Sequence, residues 1–125
     1  MDNKARVEHA LELLDSDRTA EMASMFAPDA TLRFGNADQL NGRDDIMAVL
    51  IETAKTLKYD HDVRSMVAEG DMVAFHTHTT YGTPAGRFTI PGAAFIRFND
   101  GLIVDYQIMV DLTPINEAMA ALETS

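Results

Sequence analysis

From the amino terminus, apolar positions recur with a helical period. Ala5, Val7, Ala10, Leu11, Leu13 and Leu14 fall on one side of a helix, and the run breaks at Asp15 to Asp17. Asp17 is a candidate cap for a second helix carrying Met22, Met25 and Phe26, which Pro28 ends. "ATLRF" reads as a short strand and "GNADQLNG" as a loop. A third helix starts at Arg43, with Ile46, Val49, Leu50, Thr53, Ala54 and Leu57 on one side. Its first turn holds Asp44 and Asp45, where the helix dipole favours acidic groups.

Beyond Leu57 the period shortens to that of strands. Segments 58–68 and 72–82 flank "EGD", and 87–98 and 102–112 flank "NDG", so the four predict an antiparallel meander joined by tight turns. "TPINEAMAAL" predicts a closing helix: Thr113 can cap it, Pro114 suits its first position, and Ile115, Met119 and Leu122 share a face. Helices first and strands afterwards give an α+β fold, with helices packed on one side of a curved sheet.

Composition narrows the function classes. With 125 residues, 46% of them hydrophobic, the chain has the size of one domain, 1–125, with a substantial core. The formal net charge of −10 opposes phosphate backbones and anionic lipid, which excludes nucleic acid and the membrane surface as expected partners. Without cysteine there is neither a disulfide framework nor thiolate chemistry. No apolar run approaches a membrane span and no secretory leader is apparent, so a cytoplasmic location is expected.

The order of elements, together with "MFAPDATLRF", "AEGDMVAF" and "FIRFNDGLIVDYQIMVD", resembles the nuclear transport factor 2-like superfamily, and within it the SnoaL-like and ketosteroid-isomerase-like members. The resemblance covers nearly the whole chain. It implies a cone: an antiparallel sheet wrapped around a central pocket, helices over the opening, and often a homodimer through the outer sheet face. The same architecture hosts isomerases, dehydratases, cyclases, epoxide hydrolases and binding domains.

Strand parity assigns residues to that pocket. On 72–82, Val73, Phe75, Thr77, Thr79 and Tyr81 share one side, and Met72, Ala74, His76, His78 and Thr80 the other. A turn centred on Gly70 places Val63 opposite Thr77 and His61 opposite Thr79, so Tyr59, His61, Val63, Ser65 and Val67 join the first set. His76 and His78 are then expected on the outer face, in a polar ladder with Asp62, Arg64, Arg97 and Asp105. A metal ion there needs at least one more placed ligand, and no spacing supplies it; none is expected.

The predicted inner wall comprises Phe34, Val63, Val73, Phe75, Ala94, Ile96, Phe98, Ile108 and Val110, with Leu14, Met22 and Met25 above it. Such a wall favours an apolar, cyclic small molecule. Its polar members are His61, Tyr59, Tyr81, Tyr106, Thr77 and Thr79. Histidine serves as acid or base near neutral pH and phenols donate to a developing oxyanion, a set suited to enolisation, dehydration or ring closure without a cofactor.

The acids used by the related enzymes have no counterpart where the resemblance aligns them. Ketosteroid-isomerase positions fall on Ala10, Phe34 and Ala94, and epoxide-hydrolase positions on Thr77, Thr79 and Ile108, which is also where SnoaL-like cyclases carry an acid. The dehydratase-like branch, working with histidine and tyrosines, is the least contradicted. Two functions follow: a cofactor-independent isomerase or lyase with His61 as acid/base and Tyr59, Tyr81 and Tyr106 as polarising groups, or a hydrophobic-ligand-binding module lacking the catalytic carboxylates. The outer face of Met72, Ala74, His76, Ile103 and Met109 is the expected homodimer surface. Asp38 and Arg43 read as solvated loop residues, and Asp111 as a helix-entry residue.

Overall fold

The computed structural model describes residues 1–124. Helix α1 (Asn3–Asp15) starts at Asp2, whose carboxylate accepts a hydrogen bond from the Ala5 N–H at 2.8 Å. Its apolar stripe, Val7, Ala10, Leu11, Leu13 and Leu14, is buried as the periodicity predicts. There follow a 3-10 helix (Thr19–Met25), β1 (Phe26–Phe34), β2 (Leu40–Asn41), α2 (Arg43–Ala54), β3 (Lys58–Glu69), β4 (Met72–Thr83), β5 (Gly86–Asn99), β6 (Leu102–Val110) and α3 (Thr113–Thr124). No helix among the described residues is long and apolar enough to cross a membrane.

The strands form one six-stranded sheet in the order β2-β1-β6-β5-β4-β3. Strands β3 to β6 make the predicted antiparallel meander. At its far edge β1 joins β6 in parallel, and β2 pairs antiparallel with β1. The helices pack on the concave face over Leu32, Val73, Ile96, Phe98 and Ile103. At the turn between β5 and β6, Asp100 and Gly101 both have positive φ, 51° and 78°, the twist a two-residue hairpin connection requires.

The segment after α1 departs from expectation. It is a 3-10 helix, Phe26 opens β1 rather than closing a helix, and Pro28 lies inside that strand. Proline has no N–H to give a ladder, and it is tolerated here because the β1–β6 register breaks between Phe26 and Thr31. Asp17 caps nothing; with φ at 60° it turns the chain and holds Lys58 at 3.0 Å. At α3 the side-chain acceptor is Asp111 rather than Thr113: the Thr113 N–H donates to Asp111 Oδ1 at 3.0 Å. A hydrogen bond from the Thr113 side chain, and then this backbone contact, hold the Asp111 carboxyl below its ordinary pKa.

Two bulges reset strand parity. Near its turn β3 pairs Glu69 with Met72 and Met66 with Phe75, but beyond Arg64 it pairs Val63 with Thr77 and His61 with Thr79. Arg64 is the extra residue. Met66 therefore packs inward, and Val67, predicted to face the pocket, is 64% exposed. In β6 the extra residue is Val104, so Ile103 pairs with Phe98 and is buried in the core instead of lying on the outer face.

Candidate active site

A cavity of about 40 Å³ lies inside the cone. His61, Tyr59, Tyr81, Tyr106, Thr77 and Thr79 all line it. Phe34, Phe75, Ala94, Ile108 and Val110 supply the apolar wall, with Leu14 from α1. Six predicted wall residues lie elsewhere, Val73 and Phe98 among them, both buried in the core. Met22 and Ile96 are fully buried in the core, and the 3-10 helix packs Met25 against the same cluster. Val63 keeps the concave parity but sits on the edge strand beside the bulge, 38% exposed. Leu50 of α2 and the Gly92–Ala93 stretch of β5 complete the lining.

The residue that sequence reasoning missed is Asp15. Its Oδ1 lies 2.6 Å from His61 Nδ1, and its Oδ2 accepts the His61 backbone N–H at 3.1 Å. One carboxylate thus fixes both the main chain and the ring of the same residue. A carboxylate only accepts, so the Nδ1 hydrogen lies toward Asp15, and in the neutral ring this leaves the lone pair on Nε2. The His61 side chain is 12% exposed and that of Asp15 29%, so the ring at the cavity wall is largely shielded while the carboxylate behind it reaches solvent. Asp15 is the last residue of α1, where the dipole disfavours an anion; that mismatch is the one sequence signal that could have marked it.

The aromatic groups are stacked around this pair. The Tyr59 and His61 rings lie 5.6 Å apart at 15°, and Tyr81 meets Tyr59 edge-on at 5.9 Å. Burial pushes the Tyr59 phenol up to about 12, with Tyr81 adding to it, and burial likewise raises Tyr81 to about 12 against the pull of Thr79. Tyr106, deeper still, is raised further for the same reason. All three stay neutral donors through the physiological range. Behind them the buried Thr77 and Thr79 hydroxyls bond each other at 2.9 Å.

His76 and His78 are on the opposite face. Their rings meet edge-on at 5.3 Å, opposite Ala93 and Pro91 of β5. Of the predicted ladder, Arg64 pairs with Asp62 at 3.3 Å, while Arg97 turns to Asp71 at 2.6 Å and Asp105 accepts instead from Thr31 and Gln107. Among the described residues, no three histidine, aspartate or glutamate side chains are grouped to hold a metal ion.

An apolar groove of about 290 Å³ adjoins the cavity along α2; Phe34, Leu50 and Tyr59 line both, and Asp38 also lines the groove. Arg43 does not line it. A wider, more polar recess of about 560 Å³ lies beyond Phe34 and Val110, at the start of α3.

Residues 7–106 match the SnoaL-like domain. The chain belongs to that family. The SnoaL-like chain shares the nuclear transport factor 2-like fold of many solved structures at low identity. One is a Mycobacterium tuberculosis LEH-like epoxide hydrolase, 14% identical with a TM-score of 0.78 over 95% of this chain and 93% of that one. Another is an NTF2-like protein of unknown function from Burkholderia pseudomallei, 14% identical with a TM-score of 0.82 over 94% and 98%. A third, from Catenulispora acidiphila, has a ketosteroid isomerase-like fold and was solved with trimethylamine; it is 17% identical with a TM-score of 0.77 over 86% and 85%. Likeness at this identity carries the fold and no activity. No curated protein matches the sequence.

Proposed function

We propose that this SnoaL-like protein is a cytoplasmic, cofactor-independent acid–base enzyme, an isomerase or lyase acting on a small apolar carbonyl or hydroxy compound. The observation that carries the reading is the Asp15–His61 contact of 2.6 Å at the wall of a cavity that three neutral phenols also line. His61 Nε2 takes a proton from the carbon next to a substrate carbonyl, and Asp15 stabilises the imidazolium that forms. The electron pair moves to the carbonyl oxygen, which accepts a hydrogen bond from a phenol among Tyr59, Tyr81 and Tyr106. The imidazolium then returns its proton, either to another carbon, which completes an isomerisation, or to a departing hydroxyl, which leaves as water and completes a dehydration. Asp15 supplies a carboxylate in place of those missing at Phe34, Ala94 and Ile108, where the resemblance expects them.

Turnover of a panel of enones, hydroxy-ketones and epoxides tests this. His61→Ala should lower kcat/KM by about 10²- to 10⁴-fold. Asp15→Asn, which keeps the shape and loses the charge, should lower it less. Turnover unaffected by His61→Ala in a folded variant rejects the assignment.

A second reading, a ligand-binding module, is favoured by the apolar groove of about 290 Å³ beside the inner cavity, close to the roughly 300 Å³ at which ordinary ligand pockets begin. Tight binding of panel members with no turnover of any would select it. For assembly we propose a homodimer through the outer sheet face, where Val67, Phe95 and Met109 are exposed around Ala74 and Ala93. Phe95→Asp should convert a dimer to a monomer in sedimentation equilibrium; a monomeric parent protein overturns the proposal.

A further inference from the structure

The apolar residues of α2 are not all used for packing. Ile46 and Met47 are buried, whereas Val49 is exposed and Leu50 half-buried. Both line the apolar groove of about 290 Å³, together with Leu32, Leu40, Leu57 and Leu112. Phe34, Leu50 and Tyr59 line both the groove and the inner cavity, so the two adjoin at these side chains. The inner cavity holds the equivalent of roughly three water molecules, since one needs about 10–15 Å³ of such space. That is far below the roughly 300 Å³ at which ordinary ligand pockets begin, which disfavours a fused ring system beside His61. A short polar head fits, and its deep end meets the buried Thr77 and Thr79 hydroxyls. The charged group at the groove edge is Asp38, on a chain of net charge −10, which disfavours an anionic ligand.

We infer that the site takes a neutral, linear amphiphile: a head of a few atoms bearing a carbonyl or hydroxyl oxygen enters the inner cavity, and an unbranched alkyl or alkenyl tail lies in the groove along α2. The inference rests on the acid–base reading for the role of the head, and replaces the cyclic ligand expected from the sequence. The tail is held by burial of apolar surface, so affinity grows with its length until the groove is full. The more polar recess at the start of α3 offers it less.

The test is binding of 2-alkanones from butanone to dodecanone, followed by amide chemical shifts. Affinity should rise about fourfold per methylene and then level off. Decalone, a rigid bicyclic ketone, should bind more weakly than 2-decanone, and decanoate about fivefold or more weakly than 2-decanone. Val49→Trp, which fills the groove from an exposed helix position, should abolish the gain between hexanone and decanone. Affinity independent of tail length, or tighter binding of the bicyclic ketone, overturns the inference even if His61 governs turnover. A length-dependent series with no His61-dependent turnover sustains it and rejects the acid–base reading alone.

Discussion

The two faces of one sheet carry two sets of histidines, and their neighbours differ more than their spacing does. His61, on the concave face, has its backbone N–H and its ring held by a single carboxylate, a tyrosine stacked on it and a cavity in front. His76 and His78, on the convex face, meet each other and small side chains of β5. The more eye-catching pair in the sequence is the less equipped. Acid–base chemistry requires a lone pair held in one tautomer and shielded from water, and of these three histidines His61 is the one with a carboxylate on its ring nitrogen among the described residues.

The sharpest way to break this comparison is to delete Asp62. With Val63 still opposite Thr77, His61 then pairs with His78 and passes to the convex face, away from Asp15. Deleting Arg64 instead only closes the bulge and leaves His61 opposite Thr79. Activity should be lost in the first variant and kept in the second, while far-ultraviolet circular dichroism keeps the strand signal of both; activity retained without Asp62 would mean that strand parity does not place the site.

Next in size is the contrast in packing. Ile96→Ala on the concave side should cost about 2–5 kcal/mol in urea denaturation, because the site is fully buried. Its neighbour Phe95→Ala, exposed on the convex side, should cost under about 1 kcal/mol in the monomer.

The phenols sharpen the comparison through pH. Below about pH 10 they are neutral folded and unfolded alike. Above it the unfolded phenols ionise while buried Tyr59 and Tyr81 hold their protons to about 12, so the unfolded state binds fewer protons and stability falls. The loss by pH 12 should be on the order of 2 kcal/mol per phenol, read from denaturation midpoints, and Tyr59→Phe should remove one share. The smallest effect is expected from replacing His76 and His78 together by alanine: turnover within about twofold, and monomer stability within about 0.5 kcal/mol.

Much of the fold was legible because its elements are periodic. The stripes of α1 and the alternation of β4 and β5 each declare a buried side, and "NDG" declares a turn. The 3-10 segment was misread because Met22, Met25 and Phe26 have helical spacing, yet Phe26 is needed to start β1 against Ile103. At the site, Tyr59, His61, Tyr81 and Tyr106 were readable from parity, although at His61 the assumed turn gave the observed pairing only because the Arg64 bulge restores it. Val67 and Ile103, on the turn sides of the two bulges, show the same assumption failing.

The sequence alone determined the α+β class, the meander and the apolar concave wall, since burial of one face is written into local alternation. Tertiary structure decided the partnership of Asp15 with His61 and the two changes of parity. Those depend on where the end of one helix meets the start of a strand 46 residues away, and on which ladder positions skip a residue, and no local period encodes either.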